Sequence, residues 1–220
     1  MTLTKNQTSI LDMAIRTYSY PAVYYHFPTS IQRHAKNMRH LEGVIQKLLC
    51  STDAKDTKDG LANILYWGYA NVGFRNHRVN RFRKGVNQKQ IGDFQLLITR
   101  KSTPTLHDIQ AIGMPQFSHI SFISKIIMFL DPVDHCVLDL QLSKIGNIPG
   151  PKALNKLKVS SGIGVTRHNA SIYKEWCEEC KNISKKYFKN KYRAVDIERG
   201  FFNLVQNGQL HVAQQIYSAA

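Results

Sequence analysis

The chain has 220 residues, of which 43% are hydrophobic and 10% aromatic, a composition typical of a folded globular protein that excludes a disordered or fibrous one. Thirty Lys and Arg residues against fifteen Asp and Glu give a net charge of +15, which indicates a polyanionic partner, most of all nucleic acid. No segment reaches the roughly eighteen uncharged apolar residues of a membrane span, and residues 1–20 lack a signal-peptide pattern. We therefore expect a cytoplasmic, nucleoid-associated protein without a membrane partner.

Apolar residues recur at every third to fourth position along most of the chain, and this spacing predicts helices. In chain order the predicted helices cover residues 7–18, 30–50, 58–70, 78–85, 108–112, 120–130, 140–144, 169–187 and 196–205. A strand is predicted only at residues 136–138, and Asp196 is assigned as the N-cap of the last helix. The sequence therefore predicts an all-α protein.

Residues 71–84 concentrate positive charge and contain no acidic residue. Such a density of Arg and Asn is typical of phosphate contacts. A second basic run, residues 181–193, interleaves lysines with Tyr187, Phe188 and Tyr192, as surfaces that follow a nucleic-acid backbone do. Nucleic acid is the expected partner, while charge alone leaves open a basic surface without a partner, a ribosome-adjacent protein or a protein that binds an anionic membrane.

The four cysteines do not form a metal-binding pattern, because Cys177 and Cys180 are the only CxxC pair. Being three residues apart in a predicted helix, these two are expected to share a face. Cys50 and Cys136 lie singly in apolar surroundings and are predicted to belong to the core. The glycine-containing loops at 146–151 and 160–164 match no nucleotide-binding fingerprint. We expect reduced thiols, no metal and no small-molecule cofactor.

Lys125 interrupts the most apolar of the predicted helices, residues 120–130. An apolar environment disfavours the ammonium form and so favours a neutral, nucleophilic amine. Asp139 directly precedes the predicted helix 140–144, so we expect it to cap that helix with its carboxylate near the lysine. The structural alternative is that the lysine extends its charge into water and the aspartate acts only as a cap.

The order of these parts resembles the helix-hairpin-helix DNA glycosylases, closest to the 8-oxoguanine DNA glycosylase branch. The helix at 61–70, the Arg- and Asn-rich segment, the stretch MPQFSHISFISK at 114–125 and Val137-Leu138-Asp139 follow one another as in that family. The resemblance covers roughly residues 58–142. Two features depart from the family pattern. Residues 117–120 contain no glycine, and the spacing from Lys125 to Asp139 is shorter than the family's common spacing by about one helical turn.

The resemblance implies a helix-hairpin-helix glycosylase fold, in which two small helical lobes flank a cleft within a single unit of residues 1–220. Its parts are a helical lobe at about 30–115, a hairpin and catalytic segment at 114–145, and C-terminal helices at 169–215. The implied activity is excision of an oxidised or modified base, 8-oxoguanine above all, from double-stranded DNA by base flipping. Strand cleavage as a lyase is implied to follow. We expect a monomer.

By the same resemblance, Lys125 attacks the sugar C1′ and Asp139 stabilises the cationic sugar. The residues assigned to DNA contacts are Arg75, Asn76, Arg78, Arg81, Ser118 and His119. The residues assigned to the base pocket are Tyr66, Trp67 and Tyr69, of which at least one is expected to stack on the flipped base and another to pack in the core. The alternative function is a non-catalytic DNA-binding module with the same helical fold.

Overall fold

The computed structural model describes residues 2–101 and 103–220, and this part of the chain is mostly helical, with eleven α-helices and one two-stranded sheet. The prediction of an all-α protein is therefore confirmed at the level of fold class. In chain order the elements are α1 (Lys5–Arg16), β1 (Val23–His26), β2 (Ile31–His34), α2 (Met38–Leu49), α3 (Ala54–Gly68), α4 (Arg75–Gly85), α5 (Gln88–Arg100), α6 (Leu106–Ala111), α7 (Ile120–Leu130), α8 (Leu140–Ser143), α9 (Arg167–Phe188), α10 (Ala194–Gln206) and α11 (Leu210–Ala219).

The chain divides into two compact units. Tyr20–Leu130 form the central unit, and Asp131–Ala220 form the terminal unit together with the N-terminal residues up to Ser19. The predicted helical lobe at 30–115 belongs to the central unit and the C-terminal helices at 169–215 to the terminal unit, whereas the segment 114–145 contributes to both. Among the described residues, no helix is at once long and apolar enough to cross a membrane.

The helix α3 is the centre of the central unit. It contacts α2, α4, α5, α7 and β1, and its residues from Asp59 to Trp67 are all buried. A helix that is buried on every face must be surrounded by other elements, which is how the remaining helices of this unit are arranged. The apolar helix α7 packs against α3 and α2, so Lys125 is held on a well-buried scaffold.

The hairpin of β1 and β2 corrects the prediction of a helix over residues 30–50. Val23 pairs with His34 and His26 with Ile31, and Ser30 adopts a left-handed conformation in the turn, with φ 54°. The side chain of Asn63 fixes β1, accepting from the Tyr25 N–H at 2.6 Å and donating to its carbonyl at 3.1 Å. These long-range bonds favour strands there, and α2 begins only at Met38, capped by Asn37.

The predicted strand at residues 136–138 is wrong. These residues are buried but belong to no strand, because side chains satisfy their carbonyls: the Tyr173 hydroxyl donates to the Cys136 carbonyl at 3.0 Å and the Trp176 indole to that of Val137 at 3.0 Å. The helix α5 was absent from the prediction, although Asn87 and Gln90 form a capping box at its start.

In the terminal unit, α10 packs against α1, α9 and α11 around the rings of Trp176, Phe201 and Tyr217. The assignment of Asp196 as N-cap is wrong, because α10 begins at Ala194 with Arg193 as its cap and Asp196 at the third helical position. The chain turns from α10 into α11 at Gly208, whose φ of 73° suits glycine.

Candidate functional site

The helix α7 begins at Ile120 and ends at Leu130, as predicted. Its lysine is buried rather than extended into water. Lys125 is 6% exposed. Its Nζ donates to the carbonyl of Ser121 at 2.8 Å and lies 5.0 Å from the centroid of the Phe122 ring. The carbonyl and the ring face are both acceptors for an ammonium group. The methylenes of Lys125 lie against the backbone of Gly68 at the end of α3, where a Cβ would be 3.3 Å from Cδ and Cε.

Beside Lys125, two aromatic rings and an arginine form a layered cluster. The rings of Tyr69 and Phe122 lie 4.6 Å apart at an angle of 31°, and the Arg78 guanidinium lies 5.9 Å from the Tyr69 ring. Burial raises the pKa of Tyr69, although the positive charge of Arg78 opposes this shift. The Tyr69 hydroxyl therefore stays protonated at neutral pH and keeps its ability to donate a hydrogen bond.

The other two residues assigned to the base pocket pack inside the central unit. Tyr66 is 6% exposed, and its hydroxyl donates to Gln32 at 2.6 Å. The ring of Trp67 meets those of Tyr20 and Phe129 edge-on at 5.4 Å and 5.2 Å. Of the three assigned residues, only Tyr69 is partly exposed. The structure thus places Tyr66 and Trp67 in the core and Tyr69 at its edge.

The Arg- and Asn-rich segment forms the helix α4, and its assigned residues have different environments. Arg75 is directed back onto its own loop, donating to the carbonyls of Tyr69 and Ala70 and to Gln32. Arg78 donates to Gln116 at 3.2 Å. Asn76 and Arg81 are exposed. The side chains with the freest access to a partner are therefore those of Asn76 and Arg81.

The helices α6 and α7 form a helical hairpin. The turn between them contains two residues with left-handed backbone, Gly113 with φ 70° and Gln116 with φ 71°. Gln90 of α5 donates to the Gly113 carbonyl at 2.8 Å. Ser118 and His119 are exposed at the start of α7, with the Ser118 hydroxyl 3.0 Å from Nδ1 of His119. The turn thus forms with only one glycine, because Gln116 takes the second left-handed position.

In the terminal unit, Asp139 is the N-cap of α8, as predicted. One carboxylate oxygen accepts from the backbone N–H groups of Gln141 at 2.9 Å and Leu142 at 3.1 Å. These bonds fix the position of the side chain. Lys125 belongs to the central unit and Asp139 to the terminal unit, so the expected proximity of their functional groups stays a prediction.

Three of the four cysteines form a cluster in the terminal unit. The Sγ atom of Cys136 lies 3.7 Å from that of Cys177 and 3.9 Å from that of Cys180; both helical cysteines are buried and share a face of α9, as predicted. Burial raises the pKa of all three thiols, that of Cys180 to about 11. Cys50 is exposed, which corrects its assignment to the core. Within residues 2–101 and 103–220, no group of three or more His, Cys, Asp or Glu is arranged to hold a metal ion.

In the central unit, the sequence analysis did not identify two residues near Lys125 and α4 as important. Gly68 allows α3 and α7 to approach where Lys125 lies, and its only signal was a glycine inside an apolar helical pattern. Phe74, at the start of α4, is 66% exposed, and its signal was an aromatic residue beside a basic run. Comparisons with protein-family models, curated proteins and solved structures gave no match.

Proposed function

We propose that this protein is a DNA glycosylase with β-lyase activity, which excises an oxidised or modified base, 8-oxoguanine first, from double-stranded DNA. The observation that supports the proposal most strongly is the burial of Lys125 on α7, the second helix of the helical hairpin. Most lysines keep their ammonium group in water. A lysine held at 6% exposure, in the same unit as the basic helix α4, has an environment suited to amine chemistry on a polyanion.

The proposed reaction starts from a nucleotide rotated out of the duplex, because the glycosidic bond is inaccessible within the base stack. The lone pair of Lys125 Nζ forms a bond to C1′ while the bond from C1′ to the base breaks. The base leaves with that electron pair and takes up a proton, which balances the proton that Nζ loses when the new bond forms. Opening of the sugar ring transfers the remaining Nζ proton to O4′ and converts the N,O-acetal to a Schiff base. Loss of a proton from C2′ by β-elimination then expels the 3′ phosphate.

Asp139 is assigned the electrostatic role in this reaction. A carboxylate lowers the energy of the cationic sugar that develops as the base departs, and it does so best when it is fixed before the reaction begins. The two backbone N–H groups of α8 provide that fixation. The proposed fold is of the helix-hairpin-helix glycosylase type, the proposed partner is duplex DNA, and the proposed location is the cytoplasm.

The test is covalent trapping with borohydride on duplexes that carry a single 8-oxoguanine or an abasic site. Borohydride reduces a Schiff base to a stable secondary amine, so the wild-type protein should give a protein–DNA adduct and Lys125→Met should not. Lys55→Met is the matched control, since Lys55 is an exposed lysine of the same unit, and it should trap as the wild type does. An adduct that persists in Lys125→Met contradicts the assignment. Binding without an adduct on either duplex favours the non-catalytic DNA-binding module.

A further inference from the structure

The strand β2 is the open edge of the two-stranded sheet. All four of its residues, Ile31 to His34, are exposed, and Ile31 keeps 48% of its surface in contact with solvent. The other strand is covered, because the Asn63 side chain of α3 binds both the N–H and the carbonyl of Tyr25 in β1. An uncovered edge strand offers its outward main-chain groups to another chain.

The hydrogen bonds of the hairpin identify the main-chain groups of β2 that face outward. The Ala35 N–H donates to the Ala22 carbonyl at 2.8 Å, and Tyr25 is the partner of Gln32. In an antiparallel pair, the main-chain groups of successive residues point alternately toward the other strand and away from it. Those of Gln32 and His34 therefore point away from β1, and in the part of the chain that the structure describes they form no hydrogen bond.

Side chains hold β2 in place without covering its edge. The Gln32 side chain accepts from the Tyr66 hydroxyl at 2.6 Å and from the Arg75 guanidinium at 3.2 Å. In the turn before β2, Nδ1 of His26 lies 2.6 Å from the Thr29 hydroxyl. A strand that is already held in its extended conformation loses little conformational freedom when a partner strand pairs with it.

The sequence around β2 is basic. Residues 20–41 contain no Asp or Glu and include Arg33, Lys36 and Arg39. Because side chains alternate between the two faces of a strand, Ile31 and Arg33 lie on the face opposite to that of Gln32. A strand added beside β2 would place its own side chains next to an apolar residue and a cation on this face. Apolar pairs and pairs of opposite charge across strands are stabilising.

We infer that β2 binds an extended acidic peptide of a partner protein, which adds a third strand to the hairpin. The main chain of the peptide pairs with the outward N–H and carbonyl groups of Gln32 and His34, and its carboxylates lie beside Arg33 and Lys36. The favoured peptide alternates acidic with β-branched residues. This interaction goes beyond the proposed function, and it requires neither Lys125 nor the basic helix α4.

Duplex DNA and a second copy of the chain fit this edge less well. Phosphate oxygens accept hydrogen bonds and cannot donate them, so a DNA backbone satisfies the outward N–H groups and leaves the carbonyls without a donor. Two β2 strands paired with each other would bring together Arg33 and Lys36 of both copies, and like charges across strands are destabilising. An acidic peptide provides donors, acceptors and the opposite charge.

The test measures the binding of a fluorescent peptide of alternating glutamate and valine by anisotropy, with amide hydrogen exchange as a second measurement. Wild type should bind the peptide, and the amides of Gln32 and His34 should become protected from exchange. His34→Pro removes one outward N–H and no hydrogen bond of the hairpin, and it should weaken binding roughly tenfold. His34→Ala is the matched control, because it keeps the main-chain N–H, and it should bind as wild type does.

A charge reversal tests the partner's chemistry separately. Arg33→Glu should weaken binding of the acidic peptide roughly tenfold and should gain binding of the corresponding peptide of lysine and valine. Arg100→Glu makes the same change of charge at an exposed arginine of α5. It should leave both affinities unchanged at physiological salt, where distant surface charges are screened.

The inference is overturned if wild type does not bind the acidic peptide up to about 1 mM, or if His34→Pro and Arg33→Glu bind it as tightly as wild type. Self-association of wild type that His34→Pro abolishes would instead assign the edge to a second copy. Loss of duplex DNA binding in Arg33→Glu, without peptide binding in wild type, would assign it to DNA.

Lys125→Met separates this inference from the glycosylase proposal, because it should bind the peptide as wild type does. Peptide binding without borohydride trapping in wild type supports the third strand and removes the enzyme. Trapping without peptide binding does the opposite.

Discussion

Gly68 and Lys125 are in direct contact across the packing of α3 on α7. A Cβ at position 68 would lie 3.3 Å from Cδ and Cε of Lys125 and 2.7 Å from Cε1 of Phe122. The second distance is shorter than packed carbon atoms tolerate. The absence of a side chain on Gly68 is therefore what lets the lysine and its aromatic neighbour take their positions.

Gly68→Ala should displace Phe122 and Lys125 together. We expect the unfolding free energy to fall by about 1–3 kcal/mol, the usual cost of overpacking, and borohydride trapping to fall further than the remaining folded fraction explains. Gly92→Ala is the control, because a Cβ there meets nothing within 4 Å and alanine favours a helix by about 0.5–1 kcal/mol over glycine. Unchanged stability and trapping in Gly68→Ala would show that the contact is not needed.

Substitutions of Asp139 separate its structural role from its proposed chemical one. Asparagine caps helices as well as aspartate does, so Asp139→Asn should keep the unfolding free energy close to that of wild type. Asp139→Ala removes both hydrogen bonds to α8 and should cost about 1 kcal/mol. If the carboxylate acts on the transition state, both variants should lose most turnover and little DNA affinity. Equal losses of affinity and turnover in Asp139→Asn would contradict that role.

The parts of the site that the sequence predicted correctly are those determined by nearby residues. The bounds of α7 follow from an apolar run, and the cap formed by Asp139 follows from the residues directly after it. Both depend on interactions within one helical turn, which periodicity and capping preferences describe. The burial of Lys125 also follows from its apolar neighbours.

The parts that were missed depend on contacts between distant segments. The hairpin of β1 and β2 forms where Asn63 binds Tyr25. The residue pattern between positions 30 and 50 does not indicate that this segment contacts α3. Arg75 resembled a DNA contact in sequence, but its guanidinium binds Gln32, far away in the chain. A pattern of residue types identifies which side chains can bind a phosphate, and only the fold determines which of them are already engaged.

Arg81 tests whether α4 faces DNA. Each neutralised phosphate contributes about 0.9 to the slope of log K against log salt concentration on duplex DNA. Arg81→Ala should therefore reduce the magnitude of that slope by about 0.9, the contribution of one phosphate contact, and weaken binding to all DNA sequences alike. Arg100→Ala, which removes an exposed arginine from α5, should leave the slope unchanged. The measurement is a titration of labelled duplex at several salt concentrations, and an unaltered slope for Arg81→Ala would exclude it from the DNA contact.

Asp196 should make the stability of the terminal unit depend on pH. Burial alone would raise the pKa of its carboxyl, but the hydrogen bonds and charge of Arg193, together with the charge of Arg199, outweigh burial and lower it below the ordinary 3.8. The Arg193 guanidinium donates at 3.0 Å and 2.8 Å to the two carboxylate oxygens. Because the folded state binds this proton more weakly than the unfolded state, the stabilisation is complete well above pH 3.8 and decreases as the pH falls through the folded pKa.

Asp196→Asn should consequently lower the unfolding free energy at pH 7 by about 3 kcal/mol, since it removes the carboxylate beside the half-buried Arg193 and the buried Arg199. Urea titrations from pH 7 to about pH 3 should show the variant losing less further stability than wild type over the acidic part of that range. Asp93→Asn serves as the control, because its pair with Lys89 is on the surface and contributes little. Parallel acid profiles for wild type and Asp196→Asn would show that this carboxylate is not the source of the dependence.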